Sequence, residues 1–123
     1  MFWGKKEEST MLPLEGEAGF ARLGEQEVAV LFKHSPTCII SMKANSQVEK
    51  FQEAHPQVPV YLISVKKERP MSNFIAETTG IEHASPQIIV FRKGTPAAVA
   101  THSEITAQSI QQMIQAQARA AIS

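Results

Sequence analysis

An α/β domain with the element order β-α-β-α-β-β-α is what this sequence predicts, and three observations predict it. Two short β-branched runs, Val28 to His34 and Val58 to Val65, are separated by enough chain for a helical crossover and so for parallel pairing. Two later runs flank a tight turn at Lys93-Gly94-Thr95-Pro96 and read as an antiparallel hairpin. A periodic apolar stripe then closes the chain. A parallel pair followed by a hairpin gives a four-stranded mixed sheet with helices on both faces.

Each element has its own signal. Residues 1–27 are expected to form a leader with a short helix, because Phe20 and Leu23 stand three apart and Gly24 suits a helix C-terminus. The rest, residues 28–123, is expected to be the main domain. Val28 to His34 is a short apolar run of β-branched and aromatic type, as a buried strand requires. After a turn at Ser35-Pro36, Thr37 is the N-cap candidate for a helix from about Cys38 to Ala54. Its positions Ile40, Ala44, Val48 and Phe51 draw one stripe that should face the core. His55-Pro56 ends that helix and Val58 to Val65 forms the second strand. Pro70 fits a first helical turn; Met71, Phe74, Ile75 and Thr78 follow at helical spacing, and Gly80 supplies the C-cap. Gln87 to Arg92 and Ala97 to Thr101 are the hairpin strands. Ile105 to Ile122 is the last helix, with Thr106 as N-cap and Ile110, Met113, Ile114 and Ala118 on one side. This order is the thioredoxin topology.

Composition narrows the function classes. The chain has 123 residues, 43% hydrophobic and 20% charged, which suits one folded domain rather than a disordered assembly. Net charge is zero, 12 basic against 12 acidic residues, with no basic block interleaved with aromatics, so nucleic acid is not an expected partner. Lys5, Lys6 and Arg22 face six glutamates within residues 1–27, which leaves the remainder mildly basic. No apolar run approaches the ~20 residues of a membrane span, and Phe2-Trp3 is followed at once by charges, unlike a signal peptide. A single cysteine, Cys38, excludes an internal disulfide and any zinc site needing two thiolates; no H-E-x-x-H motif occurs, and no metal site is expected. The expected compartment is the reducing cytoplasm.

Cys38 stands between a strand with its turn and a helix start. Unpaired N–H groups and about half a positive charge at a helix N-terminus stabilise a thiolate, the nucleophile of disulfide exchange. Lys33 and His34, at the end of the preceding strand, add positive charge nearby. A cysteine is often only a small buried apolar residue; the strand, turn and helix-start context favours the reactive reading. Ser41 lies one helical turn on, where a CxxC protein has its resolving cysteine, and a hydroxyl forms no disulfide. Ser41 can also simply satisfy local backbone. Ser85-Pro86, before the third strand, is a candidate cis bond that presents backbone to a substrate, or a trans proline starting an edge strand. Arg69 is a candidate anion contact through its planar guanidinium, or a solvated helix-start residue. His34, His83 and His102 are candidates for proton handling beside the sulfur, although structural histidines are commoner.

The segment FKHSPTCIIS, residues 32–41, resembles the FKHS-x-TCPIS segment of the monothiol bacilliredoxin (YtxJ-like) family. Further matches are Arg69 with SNFIAE at 72–77, GIEHASPQ at 80–87, and His102 with Ile105-Thr106, so the resemblance covers about residues 20–115. It implies a thiol-disulfide oxidoreductase that removes bacillithiol, a small thiol, from S-bacillithiolated client proteins. Cys38 would attack the bacillithiol sulfur and become transiently bacillithiolated. Lys33, His34, Thr37 and Ser41 would form the thiolate's surroundings, with Arg69, Ser85, Pro86 and His102 binding substrate. Bacillithiol is then a co-substrate, no cofactor is held tightly, and the partners are client proteins and a low-molecular-weight thiol. One departure stands beside the sulfur, Ile39 where the family has proline, which adds an N–H donor and some flexibility. Two alternatives remain: a redox-inactive thioredoxin-like binding module, and a monothiol protein using glutathione or coenzyme A.

Overall fold

The computed structural model describes residues 11–122, with side chains described for residues 11–116. Phe2, Trp3 and the charges beside them, and the Ala118 side chain, lie outside the described residues. In chain order the elements are β1 (Leu12–Pro13), α1 (Gly16–Ala21), a 3-10 turn (Arg22–Glu25), β2 (Val28–His34), α2 (Ile39–Ala54), β3 (Val60–Ser64), α3 (Arg69–Thr79), β4 (Gln87–Arg92), β5 (Thr95–Thr101), a second 3-10 turn (His102–Glu104) and α4 (Ala107–Ile122).

The sheet runs β1-β3-β2-β4-β5. β2 pairs parallel with β3 and antiparallel with β4, and β4 pairs antiparallel with β5, the expected mixed arrangement. The sheet has five strands rather than the expected four, because Leu12 and Pro13 add to the outer side of β3 opposite Tyr61 and Leu62. Leu14 N–H prolongs this pairing with a bond to the Leu62 carbonyl at 3.1 Å. Two residues carry no periodicity, and a proline belongs at an edge, so only the partner strand reveals this one.

Strand alternation builds two cores. Val30, Phe32, Ile88 and Val90 face Ala44, Val48 and Phe51 of α2 and Ile110 of α4. Ala29, Leu31, Ile89 and Phe91 face Met71 and Ile75 of α3 together with Leu14 and Leu23. Full burial of each such side chain is worth about 1.5–3 kcal/mol. Phe20 adds edge-to-face contacts with Phe74 and Phe91 at 5.7 and 5.8 Å. The segment expected as a leader thus holds its short helix and also plugs the α3 face.

Four local expectations are corrected. Ile40 is 47% exposed, because the first turn of α2 starts beyond the carboxyl end of β2, where no sheet lies beneath it. In the α3 stripe Met71 and Ile75 are buried while Thr78 is exposed. Gly24 falls inside a 3-10 turn instead of capping a helix; among the described residues the positive-φ glycines are Gly16, Gly80 and Gly94. The last helix starts at Ala107 rather than Ile105, after the 3-10 turn, with Thr106 capping it by accepting the Ser109 N–H at 2.9 Å. Among the described residues, no helix is long and apolar enough to cross a membrane.

Candidate active site

β2 carries the chain to the end of the sheet, and a turn reverses it into α2. Cys38 N–H bonds to the Ser35 carbonyl at 3.1 Å, and the Cys38 carbonyl accepts the Met42 N–H at 3.0 Å. Cys38 itself is the N-cap, in extended conformation at φ −101° and ψ 128°, so it stands one position ahead of α2. Thr37, expected as the cap, sits in the turn and is exposed; a cap must carry β-region dihedrals and the first helical carbonyl acceptor, and Cys38 has both. The thiol is free and partly exposed, and its side chain makes no capping bond. The first-turn N–H groups beside it have no intrahelical partners.

Ser41 is fully buried, and its Oγ accepts the Ser35 N–H at 3.0 Å. The hydroxyl a turn after the cysteine therefore ties the reversing loop to α2. Opposite the loop, the Ser85–Pro86 bond is cis, Pro86 is buried, and the Pro86 carbonyl accepts the His102 N–H at 3.0 Å. His102, exposed and at φ 51°, thus tethers the end of β5 to the start of β4. The Ser85 Oγ is buried with no hydrogen-bond partner.

Lys33 and His34 lie on opposite faces of β2, as successive strand residues must. Lys33 shares its face with Ala29 and Leu31, the α3 side, and is wholly buried, its Nζ donating to Gln87 Oε1 at 3.1 Å. Gln87 Nε2 in turn donates to the Glu82 carbonyl at 3.1 Å. Desolvation pushes the Lys33 ammonium down to about 8. His34 stacks on Phe32 at 5.2 Å; burial holds its imidazole below the usual range, and its Nδ1 is buried without a partner. His83 shares a 3.0 Å hydrogen bond between its Nδ1 and Ser72 Oγ. Its pKa is lowered by burial first, then by the charges of Lys33 and Arg69. Arg69 is the exposed first residue of α3.

The structure therefore brings together Cys38, Thr37 and Ser41 in the loop and helix start, with Ser85, Pro86 and His102 joined by backbone at the strand ends. Lys33 and Arg69 belong to the other face of the sheet, with His83. Gln87, which fixes Lys33 to the loop before Pro86, escaped sequence reasoning. A buried lysine demands an acceptor, yet only the Lys33–Gln87 register names it. Among the described residues no group of three or more His, Cys, Asp or Glu could hold a metal ion.

Solved structures carry the same fold. A thioredoxin-fold protein described as a candidate oxidoreductase is 30% identical, covering 85% of this chain and 94% of its own, with a TM-score of 0.80. The oxidised thioredoxin of Plasmodium falciparum is 11% identical with a TM-score of 0.67, covering 87% and 97%. Mitochondrial thioredoxin 3 of Saccharomyces cerevisiae is 17% identical with a TM-score of 0.68, covering 85% and 93%. At such identities these two show the fold alone. The family model of monothiol bacilliredoxin BrxC matches residues 13–110, from β1 into α4. That match runs through β2 to β5 and the whole loop around Cys38, so the chain belongs to the monothiol bacilliredoxin family.

Proposed function

We propose that this protein removes bacillithiol from mixed disulfides on client proteins, working in the reducing cytoplasm. The observation that carries the reading is Cys38, a partly exposed free thiol at the start of α2, with Ser41 buried and bonded to Ser35 where a resolving thiol would stand. Among low-molecular-weight thiols, bacillithiol is favoured by the family.

The Cys38 thiolate attacks the bacillithiol sulfur of the client's mixed disulfide. The client S–S bond breaks, the client sulfur leaves as a thiolate and takes a proton from solvent, and Cys38 now bears bacillithiol. A second molecule of thiol then attacks the adduct as its thiolate, forming a low-molecular-weight disulfide and restoring Cys38. Unpaired N–H groups of the first turn face charge that develops on sulfur, and the backbone beside Ser85 and Pro86 offers hydrogen bonds to an extended substrate. His34, whose imidazole burial holds below the usual range, ends β2 just ahead of the reversing loop.

Incubating the protein with a bacillithiol-modified client and following intact masses tests this. The client should lose bacillithiol while Cys38 gains it, and Cys38→Ser should abolish both. Retention of bacillithiol by the client with Cys38 still free would end the proposal. Exposed Ile39, Ile40 and Met42 beside the sulfur favour a second reading, a peptide-binding module without redox turnover. In that case Cys38→Ser would bind clients as the parent does and no bacillithiol would move.

A further inference from the structure

On the α2 and α4 side of the sheet a groove of about 480 Å³ opens between the first turns of α2 and the loop after β5. Small-molecule sites fall in this size class, typically ~300–1,000 Å³. Its floor is apolar, from Ile40, Ala44 and Ile105, and Lys43, His102 and Ser103 stand among its polar lining. Ile40 lies two residues into α2 from Cys38, and His102 is bonded to Pro86. The groove is thus tied through Ile40 to the helix that Cys38 caps and through His102 to the strand end that carries Pro86.

The charge of the lining has one sign. Among the described residues no carboxylate lines the groove. Glu104, the acid on the adjoining 3-10 turn, is turned back onto the Thr101 N–H at 2.9 Å. Among the described residues the ion pairs are Arg22–Glu15 and Arg92–Glu27, so Lys43 has none. Gln47 is already committed, accepting the Ala107 N–H at 3.0 Å. An apolar floor with an uncompensated ammonium on its rim suits a small anionic ligand.

Thiol-disulfide exchange adds a direction. The attacking, central and leaving sulfurs line up, so the group on the central sulfur and the group that leaves project away from Cys38 on different courses. One concave flank therefore serves one of the two partners, and a groove of this volume suits the smaller.

We propose that this groove holds the carboxylate-bearing body of a small thiol while its sulfur is bonded to Cys38, with Lys43 as countercharge and His102 as a hydrogen-bond donor. The client chain then takes the opposite flank, past Ser85 and towards Arg69 on the α3 side. This rests on the reading of Cys38 as the carrier of a small-thiol adduct.

The test uses the full chain and two probe thiols, dicarboxylate mercaptosuccinate and neutral β-mercaptoethanol, each loaded onto Cys38 from its activated disulfide. Equilibrium competition between them, read by intact mass, gives the preference of the adduct for the anionic thiol. Lys43→Gln and His102→Asn should each lower that preference about threefold, the first as loss of an exposed charge contact and the second as loss of a hydrogen-bond contact. Asparagine tolerates the positive φ of His102, so the loop survives the change. Lys50→Gln, an exposed charge on α2 outside the groove lining, should leave the preference unchanged. A preference that Arg69→Gln lowers while Lys43→Gln and His102→Asn do not would overturn the assignment, as would no dependence on any of them. The competition uses no bacillithiol and no client, so its result stands or falls independently of whether clients release bacillithiol.

Discussion

Lys33 places an ammonium wholly inside the protein with a neutral amide oxygen, Gln87 Oε1, as its acceptor. Its pKa falls from the usual 10.5 to about 8 because burial penalises the charged form. Below that value both native and unfolded chains carry the charge, and the native state bears the desolvation cost. Between about 8 and 10.5 the unfolded chain holds the proton that the native state has released, so this residue makes stability rise with pH. Comparing urea unfolding of the parent and Lys33→Met at pH 7.5 and 10.5 should show the parent gaining on the variant by on the order of 3 kcal/mol. An unchanged difference would show that the lysine stays protonated. Ser41→Ala should cost about 1–2 kcal/mol in the same assay, because it leaves the Ser35 N–H without its acceptor. The identities of both residues drew attention in the sequence, but their partners did not. Both faces of β2 are covered, so alternation alone could not say which helix Lys33 lies beneath.

The β4–β5 hairpin turns on Lys93 and Gly94, with φ 51° and 83°. A Cβ added at Gly94 would sit 2.8 Å from the Gly24 Cα, whereas one added at Gly80, also at positive φ, would meet nothing within 4 Å. Gly80→Ala should therefore cost about 1–2 kcal/mol for its left-handed backbone alone. Gly94→Ala should cost more, since backbone must also move, and thermal melts of the two variants will rank them. Helices and paired strands with long periodic stripes, such as Ala44-Val48-Phe51 in α2, were legible because burial repeats along them. What escaped were features made by distant chain: the pairing of Leu12–Pro13 with β3, and the approach of the hairpin to Gly24. Gly24 has open space for a Cβ of its own; the residue constrained by the approach is Gly94, seventy residues on, whose Cβ would meet the Gly24 backbone.

At the scale of the whole molecule, the carboxyl ends of β2 and β3, the starts of α2, α3 and β4, and the loop after β5 converge on one edge of the sheet. His34 and His83 stand there with imidazoles held below the usual 6.5, His34 by burial, His83 by burial and then by Lys33 and Arg69. As pH falls through about 6.5 the unfolded chain takes up protons that the native state resists, so the stability these residues supply above that pH is lost below it. Urea unfolding should show a steeper loss from pH 7 to 5.5 for the parent than for His34→Phe/His83→Gln; parallel curves would exclude both imidazoles as the source. The placement of Cys38 at a helix start, with Ser41 a turn on, was legible from one short segment because local geometry there needs only consecutive residues. The groove beside them was not, because it is assembled from α2 and a loop some sixty residues later. The single bond from Ser35 N–H to Ser41 Oγ has a thermodynamic corollary. A site that could close its own disulfide would equilibrate with the square of the thiol concentration. With an alcohol at that position, the resting population depends on the ratio of small disulfide to small thiol, and dilution of the whole pool leaves it untouched.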